Sequence, residues 1–574
     1  MKKLTFLLFL AFPIFAYSQI INIPADYSSI QEGIDAAGEG DTVLVQPDTY
    51  LEHLVIQDKN ITLASLFLTT GDSNYITTTV IDGDNTGRVM NMQNISHDMK
   101  FIGFTLNNGN ANEEFGGGIL LSGTEPIISD MIISNNVAAQ GGGIYCSNTM
   151  LSLHNVILRN NEATNNGGAI RAVNSNLFLI ECTLAENSAA NGGAAMRFST
   201  IGTLEESFMF NIASSSINNN TTEFQTAGIY IRNDGTNKII NVHITDSDFS
   251  DNMSGAAGAL QIRGDSIYFS LINTRFIGNE VVNYAASLSA SNLCKGELIN
   301  CLFANNIAAT GGDDWNAAGP SVWGAEVDFI NCTFVGNSAT YGAGLTVGGG
   351  GSATALNCIF WGNEPDQIAL VDYDVFFGTL MVDYCDVQDG IDSIQVDPLS
   401  VLHWGDFNID EDPVFVGSGA DPYALSSSSG CIDSGTPDTN GLSLPPYDIL
   451  GNVRVWDGSG GGTAIIDMGA YEYGAPVWVG IDDNPVMSSA CQLITNVYPN
   501  PCSDHVIINY TGDHGSACCE IYSISGKQVK HIEISDHELE NNQIVIDVND
   551  LPPGIYFIRI RNENKTGIAK LIVM

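Results

Sequence analysis

The chain has 574 residues, too many for one ordinary globular core, so several domains or one elongated repeat array are expected. Asp and Glu total 65 against 20 Lys and Arg, a net charge of −45, which argues against nucleic acid and anionic membrane surfaces as main partners. Such a charge fits an exported protein that stays soluble and monomeric, with solvated acidic loops as the plain reading.

The chain opens with Lys2 and Lys3, an apolar run from Leu4 to Phe15, and the small-x-small triplet Ala16-Tyr17-Ser18. This is the pattern of a secretory signal peptide over residues 1–18, with an apolar core too short for a stop-transfer helix. Cleavage after Ser18 leaves Gln19 first, and with no Cys there a lipoprotein anchor is not expected. No later run of about 18 apolar residues suggests a transmembrane helix in the mature chain. Residues 20–56 read as a cap for a repeat array. Ile30, Ile34 and Ala37 lie on one face of a short amphipathic helix, Ser28 or Ser29 caps it, and a strand and turn follow in GDTVLVQPDTYLEHLVI.

From residue 100 to 365 one unit recurs, an aromatic or aliphatic residue three before an Asn, as in MIISNN, CTLAEN, TRFIGN, CTFVGN and CIFWGN. The closing asparagines are read as Asn136, Asn161, Asn187, Asn211, Asn252, Asn279, Asn306, Asn337 and Asn363. After most of them comes a Gly/Ala-rich turn and an apolar residue: Ile144, Ile170, Ala195, Ile229, Leu260, Leu288 or Leu345. Residues two apart, such as Cys332 and Phe334, face one side of a strand. The Asn is expected to turn left-handed and to stack its amide on the next coil. Gly and Ala allow the tight bend that follows. A period near 25 without 3.6-residue periodicity means a β-solenoid with about three strands per coil. Twelve Cys in an exported chain suggest disulfides, but Cys182, Cys301, Cys332 and Cys358 share one repeat position and read instead as small buried residues.

These features predict an all-β chain: a right-handed parallel β-helix with a short N-terminal capping helix over residues 19–405, then a small C-terminal immunoglobulin-like β-sandwich. The cap and repeats resemble the pectin-lyase-like superfamily, and the Gly-Gly-x-Ile and Phe-x-x-Asn alternation resembles the repeats of bacterial polymorphic surface proteins. Residues 406–475, with ALSSSSGCIDSGTPD and IIDMGAYEY, are similar to choice-of-anchor modules that close such helices. The acidic run Asp406, Asp410, Glu411 and Asp412 is a candidate calcium site because hard oxygen ligands cluster there. It lacks the Gly-punctuated spacing of a calcium loop, and a solvated turn is the alternative.

Residues 476–496 read as a linker. Beyond it, Val497-Tyr498-Pro499-Asn500-Pro501 precedes six short alternating strands, with Asp550-Leu-Pro-Pro-Gly554-Ile-Tyr556 before the last two. This combination resembles the type A sorting domain of type IX secretion over residues 497–574. The resemblance implies the type IX machinery as partner, passage across the outer membrane, removal of the domain, and a final place outside the cell or on its outer surface.

The β-helix resemblance raises the expectation of a polysaccharide lyase or glycoside hydrolase without establishing it. The Gly-His-Gly and Arg-Ile-Lys strings of pectin hydrolases are absent, and only Asp313-Asp314 matches that set. The Trp-x-Asp-His and Arg-x-Pro-x-x-Arg strings of pectate lyases are absent as well. Two binding features remain. Arg232 and Arg263 both fall three residues after the apolar residue of the Gly turn, so they should stack outward on adjacent coils. Arg171 lies on the same face two positions earlier, and Arg197 is nearby. Together they suit a carboxylated or sulfated sugar, or else pair with neighbouring acids. The loop GGDDWNAAGPSVW carries Asp313, Asp314, Trp315 and Trp323, a candidate sugar-stacking loop or plain loop packing. Two functions stay open: binding or processing of an extracellular polysaccharide, and a non-enzymatic adhesin or surface rod.

Overall fold

The computed structural model describes residues 18–574 apart from 97, 204–205, 236–237, 309–316, 479–493, 499–501, 503, 511–516, 524–527, 535–542, 553, 563–565 and 574. The signal peptide reading therefore lies outside the described residues. Among the described residues, three parallel sheets of 26, 13 and 7 strands wind into a β-helix whose last strand is Val401–Trp404. The N-terminal end is sealed by helix α1 (Ile30–Ala36). Its Ser29 side chain accepts from the Glu32 backbone N–H while Glu32 accepts from the N-cap backbone, a reciprocal capping box. Ile30, Gly33 and Ile34 of α1 are buried, and Ala37 just beyond it is buried too.

The coils between Gly109 and Gln367 are held by an interior amide ladder. Asn279 shows the pattern: Asn306 Oδ1 accepts from its backbone N–H and from its Nδ2, both at 3.0 Å, and its Nδ2 also donates to the Phe249 carbonyl at 2.9 Å. The ladder runs through Asn136, Asn161, Asn187, Asn220, Asn252, Asn279, Asn306, Asn337 and Asn363, and ends on Gln367 Oε1. Two expectations are corrected here. The member after Asn187 is Asn220, not Asn211. Asn211 sits mid-strand in Glu206–Ala213, because this coil and the next are longer than average and the separations are 33 and 32 residues. The left-handed residue is also not the ladder Asn but its predecessor: Asn135, Asn160, Glu186, Asn219, Asp251 or Asn305, or Gly278, Gly336 or Gly362. That residue turns the chain so that the following Asn points inward.

A second left-handed corner precedes the cysteine position. Asn300, Asn331, Asn357 and Tyr384 have positive φ, and Cys301, Cys332, Cys358 and Cys385 follow them, buried and unbridged. Each thiol donates to the carbonyl two residues back, as Cys301 Sγ does to Ile299 O at 3.5 Å. Burial raises the Cys332 thiol well above its ordinary range. Further inside, Phe249, Phe276, Phe303, Phe334 and Phe360 form a parallel stack with centroids 4.4–5.1 Å apart. At the Gly turn, Gly142 lies so close to the next coil that a Cβ would strike the Glu162 carbonyl oxygen, so only glycine fits. Met196, not Ala195, is the apolar residue in register with Ile170, since Gly193, not Gly192, takes the left-handed place of Gly167.

After the last strand, residues 406–478 carry only isolated bridges and run back along the outside of the helix. The C-terminal sandwich packs a three-stranded antiparallel sheet of Ile494–Tyr498, His505–Tyr510 and Gln543–Asp547 with a four-stranded one. The latter contains Ala517–Ser523, Gln528–Ile534, Gly554–Asn562 and Thr566–Val573. Val506, Ile508, Ile521, Ile546, Ile558 and Leu571 lie in its core.

Asn306→Ala strands the Asn279 donors and the Phe276 carbonyl in a dry interior, at roughly 1–3 kcal/mol per unpaired group. Urea unfolding should show a loss of about 3 kcal/mol or more. A loss below about 1 kcal/mol would mean that backbone pairing, not the amides, holds the coils.

Candidate functional site

The outward face of the 13-stranded sheet carries two side-chain columns. In the inner one, Tyr145, Arg171, Arg197, Tyr230 and Gln261 stand in register on successive coils, and Phe115 stacks on Tyr145 at 4.6 Å. In the outer one the order is Ser199, Arg232, Arg263, Ser291, Trp323 and Gly348. Strand alternation puts positions one and three after each turn on the same face.

The four arginines divide into two kinds. Arg171 is only 9% exposed. Its guanidinium donates to Gln140 Oε1, the carbonyls of Ala172 and Arg197, and Ser199 Oγ at 2.6–3.2 Å. Burial, with the charge of Arg197 beside it, pulls Arg171 down to about 10. Arg197 donates to Asn166 and Gln225 and lies over the Tyr230 ring at 4.6 Å. Both therefore pack against acceptors of neighbouring coils, although the buried Nε of Arg197 has no partner among the described residues. Arg232 and Arg263 remain at the surface, with Arg232 Nε 2.5 Å from Asp234 Oδ1 and Arg263 exposed.

Two coils beyond Arg263, about 10 Å along the axis, stands Trp323. Its half-buried indole lies against Gly348 and Gly349, where any Cβ would collide with the ring. Tyr373 meets it edge-on at 5.7 Å. Tyr373 and Phe376 bond to each other through both backbone N–H groups in a tight hairpin and are 55% and 57% exposed. Ser289, Ser291 and Ser321 line the face between Arg263 and Trp323. The Tyr373–Phe377 aromatics were missed from sequence because DYDVFFG lies outside the repeat, although three aromatics in one short loop were a readable signal. Asp313, Asp314 and Trp315 lie outside the described residues.

The acidic run does not converge. Asp406, Asp410, Glu411 and Asp412 are exposed; Asp410 accepts from the Asp389 N–H and Asp412 from the Val414 N–H. Among the described residues no group of three or more His, Cys, Asp or Glu is placed to hold a metal ion. No described helix is long and apolar enough to cross a membrane.

In the sandwich, Gly554 begins a strand and the buried Tyr556 hydroxyl donates to the Pro552 carbonyl at 2.6 Å, tying the strand to the turn before it. Tyr498 ends the strand Ile494–Tyr498, and Pro499, Asn500 and Pro501 lie outside the described residues. Residues 496–574 match the model of the secretion system C-terminal sorting domain. The chain is a type IX secreted protein, extracellular or attached to the outer cell surface. No match to a pectin-lyase-like or choice-of-anchor family was found, and no curated protein matches the chain.

The two kinds of arginine should separate by stability. Arg171→Ala removes a donor from four acceptors, two of them buried, and should cost roughly 2–4 kcal/mol in chemical unfolding. Arg263→Ala should stay within about 0.5 kcal/mol. Equal losses for both would contradict the division.

Proposed function

We propose that the exported rod binds an extracellular polysaccharide along the outer face of its 13-stranded sheet. The observation that carries this reading is the single column Arg232, Arg263, Ser291 and Trp323, which sets two surface guanidiniums, a hydroxyl and an indole in line. Guanidiniums suit carboxylate or sulfate groups, serine hydroxyls suit sugar hydroxyls, and indole and phenol rings suit pyranose faces. The chain as a whole repels polyanions, so affinity rests on this local cluster and falls as salt rises. The alternative, an adhesin or surface rod that binds proteins, draws on the exposed Tyr373–Phe377 hairpin.

A glycan array with the full chain decides between them. Binding to one carboxylated or sulfated class, weakened about tenfold or more by Arg232→Ala with Arg263→Ala at unchanged melting temperature, supports the proposal. Binding only to proteins or cells, or an undiminished signal from the double variant, rejects it.

We also propose that the sorting domain is removed once the chain is outside. Mass spectrometry of the native surface or released protein should find no peptides from Val497 onward, and an intact C-terminus on that form rejects removal.

A further inference from the structure

Residues 406–478 hold the flank of the helix through one continuous set of contacts. The Cys431 thiol donates to Asp386 Oδ2 at 3.1 Å, and Thr436 N–H donates to Asn357 Oδ1 at 2.8 Å. Asn331 Nδ2 donates to the Asp467 carbonyl and Asn300 Nδ2 to the Tyr447 carbonyl, each at 3.0 Å, and Arg275 reaches the Ile449 carbonyl at 3.2 Å. The anchoring residues stand on five successive coils, so the segment runs back over the rod for about 20 Å. Ile449, Ala470 and Tyr471 cover Leu302, Ala304 and Val335, while Leu425, Cys431 and Met468 cover Ile359.

The charges enclosed by this contact do not balance. Asp386, Asp448, Asp467 and Glu472 are buried, against one buried guanidinium, Arg454, which is 1% exposed. Arg454 Nη1 lies 3.5 Å from Glu472 Oε2, and Arg454 Nη2 donates to the Asp467 and Gly469 carbonyls. The carboxylates otherwise meet backbone N–H groups: Asp448 those of Leu450, Asn452 and Glu472, Asp467 those of Asp433 and Tyr473, and Glu472 those of Trp456 and Asp467. Asp386 accepts from the Glu411 N–H at 3.1 Å, and the charged groups facing it are the carboxylates of Asp410 and Glu411. Asp433 faces Asp467 from within the segment, and Arg275 with Asp421 stands at its outer margin. Four buried acids with one buried base leave more negative charge than a dry interface tolerates.

We propose that residues 406–478 are an acid-set strap, docked while Asp386 of the helix and Asp467 and Glu472 of the strap hold protons and released as they ionise, uncovering the apolar strip of Leu302, Ala304, Val335 and Ile359. Burial raises Asp386 to about 7, Asp467 to about 6 and Glu472 to about 8, the last two offset in part by Arg454. The released strap has carboxylates that ionise near pH 4, so between about pH 4 and about pH 8 it binds fewer protons than the docked strap. Docking therefore weakens as pH rises through that window.

Hydrogen–deuterium exchange of the full chain, corrected for intrinsic rates, tests this between about pH 5 and about pH 9. Peptides from 425–475 should lose about tenfold or more of their protection with rising pH, while the uncovered coils from 127 to 252 keep theirs. Asp386→Asn with Glu472→Gln should hold the strap closer to its acidic level of protection, leaving only the smaller response of Asp467 near pH 6. A flat profile in the wild type, equal loss in strap and coils, or an unchanged pH response in the double variant each overturns the proposal. Should that variant fail to fold, an apolar dye on the wild type decides: binding that rises with pH supports release, and constant binding rejects it.

Discussion

The interior asparagine ladder is the constraint on which the rest of the rod depends. Each ladder amide accepts from the backbone and side chain of the coil before it and donates to the coil after it, so neighbouring coils register at one fixed point. A parallel stack with no such pin can slip, and a slip of one residue would turn the apolar set outward. The left-handed residue ahead of each Asn makes the inward turn, and Asn, Asp or Gly occupy that place in all but one coil, where Glu186 stands. Coil length can therefore vary between anchor points, as it does around Asn220, without disturbing the strands on either side.

Fixed register turns sequence position into surface position. Residues at the same offset from the turn form straight columns about 4.8 Å apart, a spacing that sets charged or aromatic groups along a polymer. The same closeness drives the inner arginines into their neighbours. Arg171 and Arg197 reach acceptors on adjoining coils and become part of the wall, while Arg232 and Arg263, two residues further along their strands, stay at the rim. The column they share with Trp323 runs along the axis, an arrangement suited to holding a chain lengthwise.

The flank shows the opposite economy of contacts. A segment without regular strands is held by corner asparagines whose amides also link neighbouring coils, and by carboxylates that cap its own backbone N–H groups. Polar docking of this kind gives orientation, whereas the enclosed charge makes its strength depend on proton binding.

The repeat by itself determined the solenoid, the α1 cap, the outward register of Arg232 with Arg263 and the export domain, because strand alternation, turn residues and the Tyr-Pro-Asn-Pro and Leu-Pro-Pro-Gly-Ile-Tyr strings are local patterns. Only the tertiary structure decided which residue of each Asn pair turns left-handed, that Asn220 takes the place given to Asn211, that Arg171 and Arg197 bond to neighbouring coils, that the acidic run from Asp406 to Asp412 stays dispersed, and that residues 406–478 fold back over five coils. Local pattern reports the face a side chain leaves by. Which acceptor from another coil meets it there depends on contacts dozens of residues away in sequence, and those exist only once the coils are stacked.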